Sequence, residues 1–146
     1  MNKTNENLKQ IQADATVFYQ KLRAFHWTVT GERFFQLHEK FEEAYNRWAD
    51  HIDAVAERIV INGGTPLLSL ESLKAASKIQ EDSVVRPARE MIESVVADSR
   101  RLLELVSNAI EVAESEGQRG TVNLLDEIRD KEEKALWMLS ACLTQS

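Results

Sequence analysis

The chain has 146 residues, with 24 Asp and Glu against 18 Lys and Arg and a formal charge of −6. That length is enough for one domain with a real core and short for two, so residues 1–146 read as a single unit. An acidic balance repels phosphate backbones and attracts cations, making nucleic acid a poor first partner; 29% charged residues, with only five Gly and two Pro, argue against a sandwich or barrel and for an all-α fold.

The opening residues carry no apolar leader segment, and no apolar run approaches the length that spans a bilayer. A soluble cytoplasmic protein is expected, with 1–6 as a short mobile N-terminal segment. Periodicity predicts a first helix over 5–28 and a second over 34–61, separated by Gly31. The second places Phe34, Leu37, Phe41, Tyr45, Trp48, Ile52, Val55 and Ile59 at alternating steps of three and four, the seam of an antiparallel four-helix bundle. Gly63, Gly64 and Pro66 then stop the helix. A long connection follows, containing a short extra helix over 69–76. The third main helix is expected over 86–115 and the fourth over 121–143, with Gly117 and Gly120 between them. One long crossover between the second and third helices is the connectivity of ferritin-like bundles. The single cysteine, Cys142, excludes an intramolecular disulfide and is expected to be a small buried side chain near the end of the last helix.

Two histidines and two carboxylates lie far apart on this scaffold. His26 ends the first helix and His38 begins the second, whereas Asp53 and Glu57 lie towards its far end. At 1.5 Å per residue His38 and Asp53 are roughly 22 Å apart, too far to share an ion within one subunit. On a wheel of about 100° per residue with His38 at zero, Glu42 falls near 40°, Asp53 near 60° and Glu57 near 100°, with the small Ala49 near 20°. This stripe flanks the core seam and lets another helix approach closely. His38 with Glu57 and Glu42 with Asp53 are symmetric about one midpoint, between Arg47 and Trp48. An antiparallel copy of the helix about a two-fold axis there brings both pairs together at once and creates two equivalent sites. His51, near 220°, lies on the far side and is expected to be solvated. The assembled set of two imidazoles and three carboxylates suits Fe(II), Mn(II), Co(II) or Zn(II), and neither a thiolate site nor an all-oxygen calcium cage. Taken singly, each of these histidines reads more readily as a packed or helix-end residue; the joint geometry is what favours a metal.

The same residues carry a resemblance. Phe25-His26-Trp27 with Gly31, Phe34-Phe35 with Leu37-His38 and Phe41-Glu42-Glu43, Asp53 with Ala56-Glu57-Arg58, and Gly63-Gly64 with Pro66 closely resemble the Dps family of mini-ferritins, over essentially the whole chain from Leu8. The resemblance implies a hollow shell of twelve subunits that oxidises Fe(II), preferably with hydrogen peroxide rather than O₂, and stores the ferric mineral. Peroxide consumption without release of hydroxyl radical protects against oxidative damage. It further implies ligands at His26, His38 and Glu42 from one subunit and Asp53 and Glu57 from the other, with Zn, Mn or Co as possible replacements for iron. Glu42 departs from the aspartate usual there and extends the reach of that carboxylate.

Trp27 and Trp137 read as core or interface aromatics; the family analogy makes Trp27 a candidate electron donor beside a ligand. Asp126 and Asp130 are candidates for the lining of an iron-entry pore, although Asn123 stands where an acid is frequent, and a solvated face is the competing reading. Ala135 replaces a histidine common before the Trp137-Met138 pair. DNA-binding members use a lysine-rich tail. Here the segment before the first helix holds only Lys3 and residues 143–146 hold no base, so binding is expected to be weak or absent at physiological salt. The rivals are a DNA-compacting protein with secondary iron chemistry and a helical dimer in which the histidines only pack.

Overall fold

The computed structural model describes residues 2–144, and those residues form five helices and no strand. They are α1 (Asn2–Thr28), α2 (Phe34–Ile61), α3 (Leu70–Ala76), α4 (Ala88–Ser115) and α5 (Arg119–Ala141). Four long helices make the ferritin-like bundle. The connection from α2 to α4 runs over residues 62–87 and contains the short α3.

Cross-links between helices give the directions. Asp14 meets Arg101 at 3.0 Å and Lys21 meets Asp98 at 2.7 Å, so α1 and α4 run antiparallel. Arg58 donates to the Thr121 hydroxyl at 3.2 Å and Arg47 to Glu132 at 2.9 Å, so α2 and α5 do too. The α2 seam is buried as its spacing requires, with Leu37, Phe41, Trp48, Val55 and Ile59 against Phe18 and Leu22 of α1 and the apolar faces of α4 and α5.

Glycine stops the two helices that need sharp ends. At the end of α2 the Gly64 N–H bonds to the Ile59 carbonyl and the Gly63 N–H to Val60, both at 2.9 Å, with Gly63 at φ 87°. The end of α4 repeats this, with Gln118 bonding to Ala113 at 2.8 Å, Gly117 to Glu114 at 3.1 Å, and Gly117 at φ 72°. Both are Schellman closures, which need a left-handed residue at that position.

The long connection is tied down by a buried carboxylate. Asp14, fully enclosed, accepts from the Ser77 hydroxyl at 2.8 Å and from the Lys78 and Ile79 amides at 2.6 and 3.3 Å. Three expectations are corrected here. Residues 2–6 are helix rather than a mobile segment, because buried Thr4 donates its backbone N–H to Glu116 Oε1 at 3.0 Å and its hydroxyl to the same atom; Met1 lies outside the described residues. α2 keeps its expected bounds, whereas α1 and α5 begin three and two residues early, α5 ends two residues early, and α4 begins two residues late at Ala88 because Pro87 serves as its N-cap. Cys142 is exposed rather than buried: it is the C-cap of α5, with its thiol directed back to the Met138 carbonyl at 3.9 Å, and the neighbouring Leu143 packs against the core in its place.

Candidate metal centre

The five-residue link between α1 and α2, residues 29–33, folds His26 and His38 against each other. Their rings stack with centroids 3.8 Å apart and planes 15° from parallel. His26 Nδ1 lies 2.6 Å from the His38 carbonyl, and His38 Nδ1 lies 2.7 Å from the His26 carbonyl. A carbonyl only accepts, so each Nδ1 carries the proton and donates. In the neutral rings both Nε2 atoms are left as lone pairs, the form a metal ion requires. Phe34 stacks on His38 at 5.0 Å and the Tyr45 ring meets His26 edge-on at 5.4 Å, which fixes the pair from either side.

One turn along α2 from His38, Glu42 brings Oε1 to 3.6 Å from His26 Nε2. One ligand atom from each of His26, His38 and Glu42 lies within 4.8 Å of the others. The cluster is graded from inside to outside: His26 is buried, His38 half-buried and Glu42 exposed. It is therefore closed by the bundle on one side and open on the other, with three donors out of the four to six such ions take.

Asp53 and Glu57 are exposed on α2 and do not join this cluster. They lie on the α2 stripe that continues from Glu42, at the distance the helical rise requires. Trp27 is 58% exposed, with the Arg23 guanidinium 5.0 Å from its ring centre, and Trp137 is 68% exposed. Neither is a core residue. Asp126 and Asp130 are exposed on the first half of α5, Asp126 paired with Arg129 at 3.0 Å.

His51 is corrected. It is buried, with Nε2 2.9 Å from Glu132 Oε2 and its ring edge-on to Trp48 at 5.0 Å. Far from His38 on the helical wheel meant towards α5 and not towards water, since 220° lies only about 80° from the centre of the apolar seam. Its partner Glu132 also takes two bonds from Arg47, at 2.9 and 3.2 Å. Burial pushes the Glu132 carboxyl up, but the bonds from His51 and Arg47 outweigh it and hold the group below the ordinary glutamate value. Glu132 escaped the sequence reading. The signal was there: an acid at helical spacing between Ile128 and Leu136 on an otherwise apolar stripe.

A ferritin-like domain model matches residues 5–146. The chain is 40% identical over 140 residues to a DNA protection during starvation protein 2 from Bacillus anthracis, covering 96% of each chain. Among solved structures, Dps from Staphylococcus aureus superposes with a TM-score of 0.97 at 33% identity, covering 100% of this chain and 98% of that one. A Dps protein from Vibrio cholerae O1, a member of a broad superfamily of ferritin-like diiron-carboxylate proteins, superposes with a TM-score of 0.94 at 33% identity, covering 98% and 90%.

Proposed function

Since this chain belongs to the Dps family of ferritin-like proteins, we propose that it is a ferroxidase whose substrate, Fe(II), binds between two subunits. His26, His38 and Glu42 come from one subunit, and Asp53 and Glu57 from the other. The observation that carries this reading is the reciprocal bonding of His26 and His38, which presents two Nε2 lone pairs beside a carboxylate at a surface with an open side. A stripe of exposed ligand-type residues on the same helix, Asp53 and Glu57, is what an antiparallel copy of α2 would bring to that opening.

Carboxylates favour the ferric over the ferrous state because they compensate the extra positive charge. Hydrogen peroxide is the preferred oxidant in this reading: one peroxide takes one electron from each of two Fe(II) and, with two protons, yields two waters, so no hydroxyl radical leaves. Dioxygen is the slower alternative. The ferric product is stored within a hollow homododecamer in the cytoplasm. Trp27 donates an electron when a single-electron step leaves an oxidising species at the site, and Asp126 with Asp130 line the route by which iron enters. The same donor set accepts Zn(II), Mn(II) or Co(II). No described helix is long and apolar enough to cross a membrane.

Anaerobic Fe(II) titration followed by peroxide tests the reading on wild type and on the double variant His38→Ala with Asp53→Ala. Equal rates of oxidation would exclude the intersubunit site and favour a purely structural helical oligomer.

A further inference from the structure

α2 and α5 are the least closely packed of the neighbouring long helices. Between them lies a cleft of about 480 Å³, a volume typical of small-molecule sites. Its accessible apolar lining is Ala135, Leu139 and the half-exposed Met138, above the buried Leu37, Phe41 and Trp48, and it exists because Ala44 of α2 and Ala135 of α5 leave space where larger side chains would meet. The rim is cationic. Arg33, the N-cap of α2, and Lys40 and Arg47 within it recur every seven residues, and Lys131 and Lys134 face them from α5, so five of the chain's 18 bases line the cleft against two of its 24 acids.

Both acids are already matched. Glu43 is held by Lys40 at 3.0 Å, and Glu132 by Arg47 and His51. Among the described residues, Lys131 and Lys134 have no carboxylate partner, and Arg33 donates only to the Cys142 carbonyl, at 3.5 Å. An acidic protein thus concentrates unpaired cations at the mouth of an apolar cleft. We infer that the cleft between α2 and α5 binds a small amphiphilic anion, a medium-chain carboxylate, with its alkyl chain along Ala135, Met138 and Leu139 and its headgroup at Lys131, Lys134 and Arg33. Apolar burial supplies the affinity, while the rim selects anion over cation and fixes orientation.

The test uses the assembled, iron-free protein, so it is independent of the metal-site reading. Calorimetric titration with decanoate below its micelle concentration is expected to show saturable binding of one per subunit, with decan-1-ol and decyltrimethylammonium at least about tenfold weaker. Lys131→Gln with Lys134→Gln is expected to weaken decanoate about tenfold and leave decan-1-ol unchanged. Ala135→Trp, which fills the cleft, is expected to abolish binding of both. Should Ala135→Trp fail to assemble, a diazirine-bearing decanoate on wild type decides: cross-links within 33–48 and 131–142 support the site. Absence of saturable binding, equal binding of the cationic amphiphile, or cross-links confined to other segments would each overturn it.

Discussion

His26 and His38 lock each other in place: the Nδ1–H of each donates to the backbone carbonyl of the other, at 2.6 and 2.7 Å. Two histidines twelve residues apart thereby fix each other's tautomer and ring orientation without any carboxylate behind them. Replacing His38 by Ala removes one ligand and the ring stacked on His26 at 3.8 Å, while the main-chain carbonyl at position 38 still accepts from His26 Nδ1. His38→Ala is expected to weaken Fe(II) binding by about 100-fold, because a ligand itself is lost and even an orienting partner is worth about 10- to 100-fold, measured by anaerobic calorimetry. Glu42→Ala, which removes a carboxylate that is half exposed, is expected to cost less, about tenfold.

An intersubunit site makes a complementation prediction. His38→Ala and Asp53→Ala homo-oligomers should each be inactive. After co-refolding in equal amounts, half the dimers are mixed, and each mixed dimer has one site with both residues intact and one lacking both. Peroxide-dependent Fe(II) oxidation should return to about a quarter of the wild-type rate. No recovery at all would place both residues in the same site of one chain.

Glu132 is enclosed between α2 and α5 and accepts from both Arg47 and His51. Glu132→Ala leaves those donors with no partner and should cost about 3 kcal/mol in chemical denaturation. Its folded-state pKa is held below the ordinary 4.5. The stabilisation from that charge is therefore fully present above pH 4.5 and is lost as pH falls through the lower folded value. Wild type should lose stability across that acid range more steeply than Glu132→Gln, at matched protein concentration.

At Gly117 nothing lies within 4 Å of where a Cβ would stand, so space is not limiting. The backbone is at φ 72°, and Gly117→Ala should cost about 1 kcal/mol through the left-handed conformation alone. Thermal denaturation should show a lower Tm with peroxide-dependent iron oxidation unchanged at 25 °C.

DNA retention in a gel shift should be absent at physiological salt and appear, if anywhere, only at low salt. The reason is electrostatic: a chain of net charge −6 with one lysine before residue 9 has few counterions to displace from the phosphate backbone. Retention at physiological salt would favour the DNA-compacting alternative.

The sequence carried the bundle almost completely. The bounds of α2 were read correctly at both ends, because a three-four apolar spacing closed by Gly63 is a local signal. It also singled out His26, His38 and Glu42, which the fold draws into one cluster. What it misjudged shares one cause. His51 was assigned to water, Cys142 to the core and residues 2–6 to a mobile segment, and in each case the answer depended on what stands across from the residue. Neither a helical wheel nor a local composition reports which side of a helix faces a neighbour.

By itself, then, the sequence determined four long helices, their stops, their apolar seams and the residue types available for metal binding, since all of these follow from periodicity and side-chain chemistry within one segment. Only the tertiary structure decided the crossed hydrogen bonds that orient His26 and His38, the burial of Glu132 with His51 and Arg47, and the cationic cleft opposite Ala135. Each requires the axial register and separation of two helices to within about an ångström, because hydrogen bonds and close packing vanish beyond that tolerance.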